Sequence, residues 1–144
     1  LVEPVIEKKP AVKNEKSAEK VKKESAPGNY EGLMKAAGRK SRGDKPQEAL
    51  KLYQKALAMK ETPEVYTGIA YSNVDLGNLP AALSNFKKAL NLSGRHSDAM
   101  FGIAMTYGQM GKKTQALNFY KEYLEYYPNG PDAGPAKTAI KLLE

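Results

Sequence analysis

Cysteine is absent from the 144 residues, which excludes disulfide scaffolds, thiolate metal sites and cysteine nucleophiles. Histidine occurs once, as His96, so no two-histidine zinc or iron site can be built. Apolar runs are only a few residues long, too short for a transmembrane helix or a signal-peptide core. No segment alternates with strand period over a useful length, which leaves an all-α domain. What is present is 41% apolar and 27% charged, the composition of a globular domain joined to a solvated segment. The net charge of +7 fits acidic partners or solubility through self-repulsion. Because the sequence opens on Leu1 and not Met, we expect a fragment or a processed product.

Composition changes near residue 29. Residues 1–29 hold seven lysines, five glutamates and three prolines, with no aromatic side chain. Their few apolar residues are too scattered to build a core, and each proline interrupts helix. The segment reads as a flexible Lys/Glu/Pro-rich linker, either a passive tether or a basic recruiting arm.

The remainder is organised by a period of 34. Gly77 and Gly111 are 34 residues apart, as are Gly68-Ile69-Ala70 and Gly102-Ile103-Ala104, and Gly43 precedes Gly77 by the same interval. Ala49, Ala82 and Ala116 correspond, as do Tyr53, Phe86 and Tyr120, the first interval here being 33. Each unit reads as two helices. Asn29 and Thr62 are N-caps, Pro63 suits a first helical position, and Glu31 and Glu64 place negative charge at the positive end of the helix dipole. Gly77 and Gly111 stop the first helices, after which Asp44 and Asn78 are expected to cap the second ones. This predicts units at about 30–62, 63–96 and 97–130. A last helix, over about 132–143, has an apolar stripe (Ala136, Ala139, Ile140, Leu143) and a polar face, as a terminal cap requires.

These units resemble the tetratricopeptide repeat family. The third carries Met100, Ala104, Tyr107, Gly111, Ala116, Tyr120 and Pro128 at the family's places. The second agrees at Tyr66, Ala70, Gly77, Ala82, Phe86 and Ala89 but has Asn73 where an aromatic is expected; the first agrees best in its second helix. The resemblance implies an all-α right-handed superhelix of three helix-turn-helix repeats with a C-terminal capping helix. It also implies a concave groove lined by Met34, Thr67, Gly68, Tyr71, Val74, Asp75, Phe101, Gly102, Met105 and Gln109. Tyr71, Phe101 and Met105 are then expected to face solvent and anchor a partner. The two glycines fit either close helix packing or close approach of a bound backbone. The chaperone-binding members of the family hold a C-terminal carboxylate with lysines, asparagines and an arginine. The corresponding residues here are Met34, Gly38, Gly68, Asp98 and Gly102, so that clamp is missing.

Other features read as packing or solvation. Tyr120 falls at the aromatic core place, and Tyr123, where the earlier units have Ala56 and Ala89, is expected to fill the joint with the cap. Lys35, Arg39, Lys40, Arg42 and Lys45 form a basic helix face with no interleaved base-stacking aromatics. No nucleophile–base set, phosphate loop or metal-ligand cluster is recognisable, so no catalysis, cofactor or metal is expected. The expected function is a scaffold that binds a protein or peptide partner. Self-assembly into a homo-oligomer is the alternative, and nucleic-acid binding is disfavoured. The linker resembles stalks that join bacterial membrane anchors to envelope repeat domains. A tether upstream of Leu1 and a periplasmic setting would follow from that, with a cytoplasmic one as the alternative.

Overall fold

The computed structural model describes residues 28–144, so most of the expected linker lies outside the described residues. Seven helices follow one another: α1 (Tyr30–Arg42), α2 (Pro46–Met59), α3 (Pro63–Asp75), α4 (Leu79–Leu92), α5 (Ser97–Gln109), α6 (Lys113–Tyr126) and α7 (Ala133–Leu143). No strand occurs among the described residues. The helices pair as α1 with α2, α3 with α4 and α5 with α6, and successive pairs stack through α2–α3 and α4–α5. α7 packs on α6. The first helices also meet one another, α1 with α3 and α3 with α5, forming an inner layer.

The local signals explain most helix boundaries. The Asn29 side chain accepts a hydrogen bond from the Gly32 N–H at 2.7 Å, and Thr62 Oγ1 accepts from the Val65 N–H at 3.1 Å. Pro63 begins α3, where its missing N–H costs nothing. At the end of α3 the Gly77 N–H reaches the Val74 carbonyl and the Asn78 N–H reaches the Asn73 carbonyl. The pattern recurs after α5 at Gly111 and Lys112, and after α1 at Asp44 and Lys45. Gly77 and Gly111 adopt φ +77° and +76°, the left-handed conformation this motif needs.

One expectation about the first unit is corrected here, and the place of Gly43, one position early in the family pattern, is explained. The residue equivalent to Gly77 and Gly111 is Asp44, at φ 57°, and not Gly43, which has φ −86°. Asp44 therefore does not cap α2; Lys45 stands at that position, and neither Lys45 nor Asn78 makes a side-chain capping bond. The regular spacing of Gly43 is accidental. The connection from α2 to α3 has three residues where that from α4 to α5 has four, so equivalent positions across it differ by 33.

The core is a row of small residues and rings. Ala49, Ala82 and Ala116 are fully buried and let each second helix approach its partner closely. Between the second and third units, Tyr66, Ala70, Phe86, Ala89, Ala99 and Ile103 close one cluster. Met100, Ala104, Tyr120, Tyr123, Ala133 and Ala136 close the next, over which the cap lies.

Candidate functional site

The inner layer of α1, α3 and α5 displays the predicted groove residues, but not all of them point into it. A side chain at Gly68 would begin 2.5 Å from the Tyr53 ring, and one at Gly102 would begin 2.3 Å from the Phe86 ring. Both glycines therefore exist to admit an aromatic ring from the preceding second helix, and close helix packing is the reason for them. Thr67 is buried and donates from Oγ1 to the Glu64 carbonyl at 2.8 Å. Thr67 and Gly102 are buried in the wall of the groove, while the backbone of Gly68 stays partly exposed. The family pattern marks where a helix turns inward but does not report which of those positions a ring from behind already fills.

Tyr71 and Phe101 are half-buried, where the sequence predicts free apolar side chains. Tyr71 packs edge-on against Phe86 at 4.9 Å, and its hydroxyl donates to the Asp98 carbonyl at 3.2 Å. Phe101 leans on Tyr120 and Tyr123, with ring centroids at 5.6 and 5.9 Å. Each therefore presents one edge to the groove and commits the rest of its surface to the core. Val74 is likewise half-buried against the core between the second and third units. Met105 is half-exposed and belongs to none of the core clusters. Its flexible thioether side chain has no packing role that would fix it. Asp75 and Gln109 are exposed at the ends of α3 and α5.

Met34 lies apart from this group. With Tyr30, Glu31 and Lys35 of α1, and with Lys60, Thr62 and Glu64 opposite, it lines an open hollow of about 390 Å³. Tyr30 is held there by a 2.5 Å hydrogen bond to Thr62, and the Lys60 ammonium lies 5.6 Å from the Tyr30 ring centroid.

Carboxylates lead the inner helices, and in α3 and α5 no lysine or arginine accompanies them. Glu31, Glu64 and Asp98 occupy the first turns of the three inner helices, and Asp132 immediately precedes α7. Burial pushes the Tyr71 hydroxyl far above its ordinary range, and the charges of Asp98 and Asp132 push it further. Burial also raises the Asp132 carboxyl, with Asp98 adding to it, and the Asp75 carboxyl, with Asp44 adding to it. Asp98 thus acts on Asp132, and both act on one tyrosine. Asp98 enters the sequence reading only as part of the missing clamp, and neither carboxylate as part of a site. The signal that could have found them is the total lack of lysine and arginine in α3 and α5, in a chain that has 23 such residues.

Elsewhere the basic face of α1 is in water, and Lys40 reaches Glu48 at 2.5 Å. His96 precedes α5 and approaches Glu64 at 3.7 Å. Among the described residues no cluster of histidine and acidic side chains is placed to hold a metal, and no helix is long and apolar enough to cross a membrane.

Residues 61–129 match the tetratricopeptide repeat family model. The chain is 28% identical over 93 residues to Tetratricopeptide repeat protein 8 of Caenorhabditis elegans, an alignment covering 64% of this chain and 18% of that protein. It therefore spans under a fifth of the length of the relatives it matches. Among solved structures, MamA superposes with a TM-score of 0.74 at 23% identity, over 87% of this chain and 71% of that one. The first TPR of Spaghetti (RPAP3), bound to the HSP90 peptide SRMEEVD, gives 0.73 at 20% identity, over 80% and 90%.

Proposed function

We propose that this chain, whose residues 61–129 match the tetratricopeptide repeat family model, is a non-catalytic scaffold that docks a segment of a partner protein on its concave face. One observation carries this reading. Tyr71 and Val74 of α3 and Phe101 and Met105 of α5 stand half-exposed on adjacent inner helices, while the opposite faces of both helices are sealed by α4 and α6. Contiguous apolar surface of that kind has a binding role more often than a structural one. Support by analogy comes from the RPAP3 domain, which shares the fold and was solved with a peptide bound.

The same analogy has a limit written in the sequence. The residues standing where clamp members hold a terminal carboxylate are Met34, Gly38, Gly68, Asp98 and Gly102, none of which is cationic. The docked segment therefore differs from an EEVD terminus. Residues 1–29 serve, in this proposal, as the linker that carries the scaffold.

Met105→Ala is the cleanest test. Partners recovered by affinity capture with the wild-type protein should bind the variant more weakly by about 1–2 kcal/mol, at unchanged melting temperature. Equal affinity would move the docking surface off the inner face. Phe101→Ala is less clean, because its contacts with Tyr120 and Tyr123 also hold the fold.

A further inference from the structure

Charge is distributed unevenly along the inner layer: α1 carries Lys35, Arg39, Lys40 and Arg42 beside Glu31, and the cations stop there. α3 and α5 carry Glu64, Asp75 and Asp98 and no lysine or arginine. The outer helices between and beside them carry Lys51, Lys55, Lys87, Lys88, Lys113 and Lys121 against Glu48, Glu122 and Glu125. In a protein of net charge +7 the inner helices of the second and third repeats are thus purely acidic, and these are the helices that carry the apolar patch of Tyr71, Val74, Phe101 and Met105.

Helix stability accounts for part of this strip. A carboxylate in the first turn complements the helix dipole, which suits Glu64 and Asp98. It does not account for Asp75, which ends α3 at the pole where a carboxylate is unfavourable, with Asp44 repelling it. Asp98 and Asp132 stand at favourable helix starts, but both lie against the aromatic patch, Asp98 through its carbonyl on the Tyr71 hydroxyl and Asp132 through its N–H on Tyr123, and among the described residues no lysine or arginine forms an ion pair with either. Carboxylates kept in such positions beside an apolar patch match a ligand with positive charge next to apolar side chains.

We infer that the partner segment docked on the concave face is cationic, with lysine or arginine facing Asp98 and Asp132 and apolar side chains on Met105 and the exposed edges of Tyr71 and Phe101. This deepens the groove reading and rests on it. An acidic segment such as the SRMEEVD peptide of the RPAP3 complex would meet repulsion here instead of a clamp.

The test is selection of phage-displayed random dodecapeptides on the 144-residue protein, with clones sorted by their binding to Met105→Ala. Clones that lose affinity for that variant report on the groove. They should be enriched in lysine and arginine over the unselected library. They should bind an Asp98→Asn/Asp132→Asn protein about tenfold or more weakly, and weaken with added salt. The melting temperature of the Asn pair verifies that it folds. Groove-dependent clones of neutral or acidic composition, or cationic clones indifferent to the Asn pair, would overturn the inference and leave the groove reading standing. If no clone depends on Met105, the groove reading falls and this inference falls with it.

Discussion

The joint between the second and third repeats and the joint between the third repeat and the cap solve one packing problem in two ways. In the first, the Phe86 ring lies where a side chain on Gly102 would be, and Ala89 lets α5 come close. In the second, the residue 34 after Gly102 is Ala136, fully buried, and Tyr123 replaces the small residue. Tyr123 is entirely buried, packs against Phe101 and Tyr127, and accepts a hydrogen bond from the Asp132 N–H at 3.1 Å. The repeat joint removes a side chain from the incoming helix; the cap joint adds a ring to the outgoing one.

The same contrast runs along α7. Ala133 and Ala136 repeat the buried Ala99 and Gly102 of α5, and Ile140 follows Thr106 at the same interval. These positions meet the preceding repeat. The positions that α5 turns toward its own partner helix, Met100 and Ala104, become the exposed Gly134 and Thr138. The cap is an inner helix that keeps its backward-facing half and gives the other half to water, as a terminal element of a solenoid must.

Four substitutions would break or sharpen this comparison. Tyr123→Ala should be the most damaging, at about 3–5 kcal/mol, because it empties a sealed site and strands the Asp132 N–H. A loss below about 1 kcal/mol in chemical denaturation would show that the cap does not depend on the ring. Gly102→Ala should cost about 1–3 kcal/mol although alanine is the better helix former, since the added carbon meets a ring that is itself fully buried. Gly68→Ala should cost less, because Tyr53 is half-exposed and has room to swing. Equal costs would mean that the two joints are built alike. Asp44→Gly should stabilise by up to about 1 kcal/mol by relieving a left-handed non-glycine residue, bringing the first turn into line with the other two. Deleting residues 1–27 should move the melting temperature by no more than a degree or two. A large fall would give the N-terminal end of the solenoid its own counterpart of α7.

Much of the architecture was legible because a repeat states each packing rule more than once. Thr62 with Pro63 and the glycines at 77 and 111 fixed the helix ends through backbone chemistry that needs no tertiary context. Asp44 misled because a residue type suited to capping also tolerates the left-handed turn, and the shortened connection that leaves Gly43 one place early puts Asp44 in that turn. The groove was less legible. Gly68 and Gly102 answer to rings some sixteen residues upstream, and the half-buried state of Tyr71 and Phe101 depends on three helices meeting. Periodicity reports which way a position points; it does not report what arrives from the other side.

The central claim is that the inner face of α3 and α5 is where a partner sits, and site-specific photocrosslinking tests it most directly. The protein would carry p-benzoylphenylalanine at position 105 on the inner face or at position 88 on the exposed side of α4 and be irradiated in its native host. Both proteins must show the wild-type melting temperature. The account predicts discrete adducts with a partner protein from position 105 and none from position 88. Adducts from position 88 with none from position 105 would contradict it.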